Sequence, residues 1–288
     1  MEERELKSYE LRNHGGCDAG PGYTLRAVSL RLSTEEGVAA IILDRPEVMN
    51  ALNQELGLEL LDAVSKSAAD EQVRCIVLSG AGRAFCAGED LGALAETYER
   101  GDSPGLGQTL IERYNPLIRA IREAPKPVVA ALNGVAAGAG ASIALACDFR
   151  IASEHAKLVL AFIKVGLVPD SGAIWFLTRM VGAAKAWELA ATGEPLSAQD
   201  ALGLHLVNRV VAADAFEEEW KAFARGLATG PTRAFALTKS LLGEAATSTL
   251  DEQLDLEVEA QAEVGRTSDH LEGVRAFLAK RAPRFWGM

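Results

Sequence analysis

The sequence has few of the residues on which metal sites, disulfide frameworks and nucleic-acid surfaces depend. Its four cysteines and four histidines lie far apart and show neither a C-x-x-C pair nor another metal-ligand spacing. Lys and Arg number 29 against 40 Asp and Glu, which gives a net charge of -11. Because binding to phosphates requires clustered cations, this balance argues against a nucleic-acid binder. We therefore expect neither a bound metal nor a nucleic-acid partner.

Long hydrophobic runs are also missing. No apolar stretch reaches the roughly 18 to 20 residues that cross a bilayer. The nearest candidate, Val128 to Leu145, is interrupted by Asn133 and by glycines. The segment Met1 to Glu10 is acidic and lacks the apolar centre of a signal peptide. With 49% apolar residues, the composition is typical of a soluble globular protein. We expect a cytoplasmic protein without a membrane partner.

The chain divides into three parts by pattern. Residues 1–24 are polar and glycine-rich without periodicity, which predicts a flexible extension. From residue 25 on, short apolar strands alternate with amphipathic helices, as in a mainly parallel sheet with right-handed crossovers. The chain after the predicted strand at Leu158–Val159 is predicted to be mostly helical, apart from a strand at Val207 to Val211. The predicted fold class is α/β.

Apolar spacing locates the individual elements of the core. Strands are predicted at Leu25–Leu32, Val38–Leu43, Cys75–Leu78, Val128–Leu132, Phe149–Ala152 and Leu158–Val159. Asn53 is placed to cap a helix. A further helix carries one apolar face from Leu110 to Ile121 and ends before Pro125.

Two glycine-rich turns are the most informative segments. The first, Arg83 to Leu91, follows the strand at Cys75–Leu78, and the second, Asn133 to Ala141, follows the strand at Val128–Leu132. Each precedes a segment able to begin a helix, so backbone N–H groups there are uncovered and carry partial positive charge. The two turns together could bind one developing oxyanion. An isolated aspartate, Asp170, follows them in the chain.

Both turns, their spacing and the segment Lys126-Pro127-Val128 resemble the crotonase, or enoyl-CoA hydratase/isomerase, superfamily. The resemblance extends from about Leu25 to the C-terminus and is strongest to the isomerases that act on the epoxide of phenylacetyl-CoA. The stretches that carry it are Tyr114–Leu117, Asn133–Gly140, Gly166–Gly172, Thr249–Glu257 and Glu272–Arg281. It implies a crotonase-type spiral of β-β-α turns over residues 25–195. A helical C-terminal region, residues 196–288, follows and assembles trimers, often paired into hexamers.

The resemblance assigns the oxyanion hole to the backbone N–H groups of Glu89 and Ala139. Removal of a proton beside a thioester puts negative charge on its oxygen, which two fixed donors stabilise. Hydratases need two glutamates beside the attacking water, and the matching positions here hold Ser142 and Phe162. Asp170 remains as the one predicted carboxylate. A single carboxylate that moves a proton between two carbons meets the requirement of an isomerase.

Asp170 has apolar neighbours in the sequence, among them Leu167, Val168 and Trp175. Partial burial among such side chains would raise its pKa and improve it as a base. An aspartate at this place could also cap the helix that begins at Ser171, and the two roles do not exclude each other.

The implied substrate is an acyl-CoA thioester, with no separate cofactor. The residues predicted to contact it are Arg45, Val48, Met49, Ala87, Gly88, Asp90, Asn115, Gly138, Phe162, Phe277 and Lys280. Phe277 and Lys280 are expected to reach the CoA from a neighbouring subunit. Phe162 and Tyr114, with Asn115, are expected to shape the acyl pocket.

The sequence thus predicts an acyl-CoA isomerase for 1,2-epoxyphenylacetyl-CoA or a related enoyl-CoA. The alternatives are an enoyl-CoA hydratase, nucleophilic catalysis by Asp170 as in aryl-CoA dehalogenases, and a non-catalytic CoA-ester binder. Those dehalogenases carry Trp at the position of Phe162 and His at that of Asn115. Cys86 beside the first turn lacks a basic partner in the sequence and is predicted to be a core residue.

The helices of the C-terminal region are amphipathic. Phe216, Trp220 and Phe223 share one face of the segment 214–227, and such a face must be buried. By the resemblance, we expect these faces to pack against other subunits. The alternative is that they fold back on their own domain.

Overall fold

The computed structural model describes residues 10–12, 23–26 and 29–288, so the extension predicted at residues 1–24 lies mostly outside the described residues. The strands are β1 (Glu10–Arg12), β2 (Tyr23–Arg26), β3 (Leu30–Glu35), β4 (Val38–Leu43), β5 (Cys75–Gly80), β6 (Ala84–Cys86), β7 (Val128–Leu132), β8 (Val135–Ala137), β9 (Phe149–Ser153), β10 (Lys157–Val159), β11 (Leu196–Ser197) and β12 (Arg209–Val211). The helices are α1 (Gln54–Ala69), α2 (Ala95–Glu99), α3 (Leu106–Thr109), α4 (Asn115–Glu123), α5 (Ala139–Ala146), α6 (Ala173–Thr192), α7 (Ala198–Gly203), α8 (Phe216–Ala228), α9 (Thr232–Glu244), α10 (Leu250–Val264) and α11 (Ser268–Leu278).

The strands form two sheets through a repeated path of the chain. Within the described ranges, the larger sheet has eight strands in the order β1-β2-β3-β4-β5-β7-β9-β12. The smaller sheet has four, in the order β11-β10-β8-β6. The pairs β5–β6, β7–β8 and β9–β10 each send one strand into the larger sheet and the next into the smaller, and helices follow each pair. The predicted α/β fold with a spiral of β-β-α turns is confirmed.

Local sequence signals account for several of these elements. The strand predicted at Val128–Leu132 has the predicted bounds, and Asn53 caps α1 by accepting the N–H of Leu56 at 2.9 Å. The single strand predicted at Leu25–Leu32 is wrong, because β2 ends at Arg26 and β3 begins at Leu30. β3 and β4 form the predicted hairpin through Gly37.

The larger sheet is buried on both faces, which is why its parallel strands read as continuous apolar runs. Successive side chains of β5 alternate between the two faces. Ile76 and Leu78 join the main core with α1 and α4, whereas Cys75 and Val77 lie under α8. The sheet is therefore a rigid layer whose strand ends carry the glycine turns.

The C-terminal region contributes to this core as well as to the surface. β11 and β12 follow residue 195 and pair with β10 and β9. The apolar face of α8, including Phe216 and Trp220, is buried against the larger sheet of its own chain. The expectation that this face packs on another subunit is wrong, because β4, β5 and β9 already cover it.

Apolar side chains that stay exposed lie mainly on the last two helices. Leu250 and Val258 of α10 are 73% and 68% exposed, and Phe277 and Leu278 of α11 are 83% and 75% exposed. Across residues 29–288, no helix has the length and apolar character needed to cross a membrane.

Gly140 marks the closest approach between α5 and β6. A Cβ added at Gly140 would lie 2.3 Å from the carbonyl oxygen of Cys86 and 2.8 Å from its Cβ. A backbone atom cannot move aside as a flexible side chain can, so only glycine fits at this position. The contact fixes the start of α5 against the end of β6.

We predict that Gly140→Ala lowers the free energy of unfolding by about 1–3 kcal/mol, because the new methyl group overpacks this contact. Urea denaturation with matched baselines measures the change. Gly243→Ala in α9 is the control, since no neighbouring atom lies within 4 Å of its added Cβ. That variant should be unchanged or more stable by about 0.5–1 kcal/mol. Equal stabilities for the two variants would contradict the packing argument.

Candidate active site

The two glycine turns and Asp170 open onto one cavity of about 240 Å³. Its apolar lining consists of Leu91, Leu106, Leu110, Ala161, Phe162, Val165, Leu167 and Val168. Its charged or polar side chains are those of Glu89, Thr109, Tyr114 and Asp170. The structure thus brings together three segments that are separate in the sequence.

The two turns touch each other at their glycines. A Cβ added at Gly88 would lie 2.8 Å from the carbonyl oxygen of Ala137 and 3.3 Å from the backbone nitrogen of Ala139. Gly88 and Gly138 also have φ angles of +94° and +51°, a region that L side chains rarely adopt. Glycine is therefore required at both turns by conformation, and at Gly88 also by space.

The predicted oxyanion donors lie at this junction. Ala139 is the first residue of α5, so its N–H has no partner within the helix. The segment around Glu89 forms a parallel bridge with Leu52, in which the Leu52 N–H donates to Gly88 at 2.7 Å and the Asp90 N–H donates to Leu52 at 3.0 Å. That bridge turns the N–H of Glu89 away from Leu52. Among the described residues, neither candidate N–H donates a backbone hydrogen bond.

Asp170 lies in a sharply turned loop before α6. Ser171 and Gly172 both have positive φ, +52° and +78°, and such strained backbone is common where a functional side chain must be presented. The N-cap of α6 is Gly172, and no side chain caps the helix there. The Asp170 carboxylate instead accepts a hydrogen bond from Ser171 Oγ at 2.8 Å. The alternative that Asp170 caps this helix is therefore not supported.

Burial raises the pKa of Asp170 above its ordinary value. The hydrogen bond from Ser171 opposes this rise, and the negative charge of Glu89 adds to it. The direction is the one predicted from the apolar neighbourhood in the sequence. A carboxylate with a raised pKa is a better proton acceptor near neutral pH.

Ser142 occupies one of the two positions at which hydratases were expected to carry glutamate. Its buried Oγ lies 3.0 Å from the backbone oxygen of Asp170 and 3.3 Å from that of Gly138. Ser142 therefore connects α5 to the loop of Asp170. Phe162, at the other position, is buried in the cavity wall.

Arg45, Val48 and Met49, which are predicted to contact the acyl-CoA, lie in one loop beside the first glycine turn. Met49 accepts the N–H of Ala87 at 3.0 Å, and the neighbouring Val48 lies in the same short turn. Arg45 Nη2 pairs with Asp90 at 3.0 Å, and Arg45 Nη1 donates to the Ala51 oxygen at 2.6 Å. The charges of Arg45 and Asp90 are thus engaged with each other and hold this loop in place.

Like Arg45, Val48, Met49 and Asp90, three further predicted contacts do not line the cavity. Asn115 lines a neighbouring cavity of about 980 Å³ between α4, α6 and α9. Phe277, near the end of α11, lines a separate cavity of about 390 Å³, and Lys280 follows it. Within one chain, none of the three lines the cavity of Asp170. Their contact with an acyl-CoA stays a prediction.

The surroundings of the Glu89 side chain were not predicted from the sequence. The sequence assigned Glu89 to the oxyanion hole through its backbone N–H and named it as the next candidate base after Asp170, and its carboxylate forms part of the cavity wall. Arg113 Nη2 lies 2.5 Å from Glu89 Oε2, and the Tyr114 hydroxyl donates to the same oxygen. Burial raises the pKa of Tyr114, so its phenol stays protonated and donates. The cavity therefore holds two carboxylates in different environments.

A π-helical turn over Leu110–Tyr114 positions both donors to Glu89. The Asn115 N–H bonds to the Leu110 oxygen, five residues back, so the helix predicted to run regularly from Leu110 to Ile121 is widened here. Pro116 supplies the physical reason, because it has no N–H for a regular bond to Glu112 and its ring would crowd that carbonyl. π-Turns of this kind are frequent at functional sites.

Cys86 is a core residue, as predicted. Its thiol is fully buried beneath the first turn, and burial raises its pKa to about 12. A thiol in this state is inert. Among the residues that the structure describes, no three His, Cys, Asp or Glu side chains form a group able to hold a metal ion.

Known proteins are similar to this chain over most of its length. A family model described as enoyl-CoA hydratase/isomerase matches residues 33–287. The chain is 45% identical over 253 residues to the Escherichia coli (strain K12) protein named 1,2-epoxyphenylacetyl-CoA isomerase, which covers 88% of this chain and 96% of the relative. It is also 45% identical over 259 residues to a Rhodobacter capsulatus protein named "Probable enoyl-CoA hydratase", covering 90% of this chain and 98% of the relative.

The solved structures are similar over the same length. The crystal structure of an enoyl-CoA hydratase from Bacillus anthracis superposes with a TM-score of 0.84 at 33% sequence identity. The match covers 90% of this chain and 100% of that one. The relatives thus include proteins named as isomerases and proteins named as hydratases.

We predict that Asp170→Asn raises the melting temperature at about pH 8. The pKa of Asp170 is raised in the folded protein, so its contribution to stability is present at low pH and is lost as the pH rises through the folded-state pKa. Asparagine does not ionise and avoids that loss. The difference from wild type should shrink as the pH falls toward about 4, the ordinary range of an aspartate.

Calorimetry over this pH range measures the effect, with Asp255→Asn on an exposed face of α10 as the control. A lower melting temperature for Asp170→Asn at pH 8 would instead indicate that Asp170 stabilises the helix that follows it.

Proposed function

This chain belongs to the enoyl-CoA hydratase/isomerase family, and we propose that it is an acyl-CoA isomerase with Asp170 as its proton shuttle. One observation supports this proposal most directly. Asp170 shares a cavity with the backbone N–H groups of Glu89 and Ala139, neither of which donates a backbone hydrogen bond within the described residues. Ser142 and Phe162 occupy the positions at which a hydratase would carry its glutamates. The site can thus move a proton, but it lacks the usual pair of groups for adding water.

The proposed reaction follows from this placement. The thioester oxygen accepts hydrogen bonds from the N–H groups of Glu89 and Ala139. Asp170 takes a proton from the carbon next to the thioester, and the electron pair left behind is delocalised onto that oxygen. In a 3-enoyl thioester, protonated Asp170 then returns the proton two carbons further along, and the double bond moves next to the carbonyl. No atom is gained or lost.

For the substrate, we propose an aromatic-derived acyl-CoA, 1,2-epoxyphenylacetyl-CoA first and a 3-enoyl-CoA second. The 45% identity to a relative named as an isomerase of the former supports this choice. The size of the cavity supports it too. Cavities of about 150 Å³ lined by Leu, Ile and Phe hold a benzene molecule. The 240 Å³ cavity, with its Leu, Val and Phe lining, therefore has room for a six-membered ring.

Hydration is the second candidate, because another relative at 45% identity is named as a hydratase. That reaction would need a second acid or base next to Asp170. Glu89 is the other carboxylate in the cavity, but its Oε2 is already engaged by Arg113 and Tyr114. The dehalogenase alternative is further weakened because Asn115, where those enzymes carry His, lines a different cavity.

We also propose that the protein assembles as a trimer or a pair of trimers. The exposed apolar side chains of α10 and α11, among them Val258 and Phe277, would be covered in such an assembly. Phe277 and Lys280 would then contact the CoA of a neighbouring subunit. Light scattering at micromolar concentration should give the mass of three or six chains. A monomer would exclude the contribution of Phe277 and Lys280 to a neighbouring site.

We predict that Asp170→Asn lowers the rate of isomerisation by about 10²- to 10⁴-fold, the usual contribution of general acid–base catalysis. The side chain keeps its size but loses the basic lone pair. Binding of an acyl-CoA should change little, because the oxyanion donors are backbone groups. Steady-state assays with a 3-enoyl-CoA and calorimetric binding of a saturated acyl-CoA separate the two effects. A variant that isomerises at the wild-type rate would place the base elsewhere.

A further inference from the structure

The Glu89 side chain is held in the cavity wall by contacts that its backbone role does not require. The Glu89 side chain is 21% exposed, and the Arg113 side chain that pairs with it is 7% exposed. The Arg113 guanidinium also lies over the Tyr114 ring, 4.7 Å from its centroid. Because two donors fix Glu89 Oε2 from the π-turn, the carboxylate has one defined position beside the cavity.

The fold makes room for this arrangement in α1. A Cβ added at Gly57 would lie 2.3 Å from Cδ and 2.9 Å from Cγ of Arg113. Glycine inside a helix lowers the free energy of unfolding by about 0.5–1 kcal/mol relative to alanine. We therefore attribute its presence in α1 to packing. Passage of the Arg113 side chain across α1 toward Glu89 is the packing reason.

We propose that the Glu89 carboxylate is a positioning residue that acts through Asp170, as a fixed negative charge in the same cavity that strengthens Asp170 as a base. Charges interact more strongly across a cavity with apolar walls than through water. A negative charge near Asp170 makes its ionised form less favourable, so Asp170 binds a proton more readily. The inference rests on the proposed function, since it concerns the base of that reaction.

The other groups around Asp170 are consistent with this role for Glu89. Burial is the first cause of the raised pKa of Asp170, and Glu89 is the charged group that adds to it. Tyr114 is protonated and Cys86 is a neutral thiol, because burial raises both pKa values. Arg113 does not line the cavity but pairs with Glu89, which does.

The cations on the remaining elements near Asp170 contact other groups. Lys164 pairs with Glu194, and Arg122 pairs with Asp148. Arg179 stacks on Trp175, and Arg119 lines the neighbouring cavity. Ser142, on α5, carries no charge. Glu89 is thus the charge in the described part of the chain best placed to act on Asp170.

The test replaces the charge and keeps the backbone N–H. Glu89→Gln retains an oxygen that accepts from Arg113 and Tyr114 but has no charge, and Glu89→Asp retains the charge. The carboxyl band of Asp170 is followed by infrared difference titration of the free enzyme and assigned by its loss in Asp170→Asn. The pH profile of kcat/KM for a 3-enoyl-CoA is recorded in parallel. Glu188→Gln, which removes one exposed charge from α6, is the control.

In Glu89→Gln, we expect Asp170 to titrate at a lower pH than in wild type, with the acidic limb of kcat/KM moving in the same direction. Glu89→Asp and Glu188→Gln should stay close to wild type. A titration of Asp170 that is unchanged in Glu89→Gln would overturn the proposal, and so would an equal shift in Glu89→Asp. The infrared titration needs no turnover, so it decides the role of Glu89 even if the protein proves to have no isomerase activity.

Discussion

The contact between the two glycine turns is the constraint on which the rest of the site depends. Gly88 lies against Ala137, Gly138 and Ala139, and a methyl group at Gly88 could not be accommodated. This approach brings Glu89 and Ala139, which carry the two candidate N–H groups, into one cavity wall after β6 and β8. The parallel sheets supply the rigidity, and Gly140 fixes α5 against β6. An oxyanion bound there would accept hydrogen bonds from donors that are already in position. Preorganised donors of this kind are the condition for effective electrostatic stabilisation.

Two carboxylates face this junction, and their surroundings separate their roles. Glu89 pairs with Arg113 and accepts a hydrogen bond from the Tyr114 hydroxyl, whereas Asp170 accepts one from the hydroxyl of Ser171. A half-buried carboxylate without a cation costs stability, and such costs are typical of functional sites. Pairs of titratable groups whose environments differ in this way are the usual sign of distinct tasks in one reaction.

The sequence could predict what local signals encode. Glycine turns, apolar runs and the Asn53 cap depend on neighbouring residues, and they located most strands of the larger sheet and α1. The spiral and the role of Asp170 were predicted from the family resemblance, and β6, β8 and β11 of the smaller sheet were not predicted. Contacts between segments that are distant in the sequence could not be predicted. The pairing of Glu89 with Arg113 joins residues 24 positions apart through a π-turn, and the only local hint was Pro116 inside a helical pattern. The burial of α8 on its own sheet was missed because an amphipathic pattern shows that a face is buried but not what covers it.

In the proposed reaction, Asp170 exchanges protons with a bound acyl thioester while no water is added to it. Incubation of a 3-enoyl-CoA and its 2-enoyl isomer with the enzyme in D₂O, followed by mass spectrometry of the thioesters, tests this most directly. We expect the two enoyl-CoA species to interconvert with deuterium incorporated into their carbon chains, and no 3-hydroxyacyl-CoA to form above the level of the Asp170→Asn control. Rapid accumulation of 3-hydroxyacyl-CoA from the 2-enoyl substrate would contradict it and identify a hydratase.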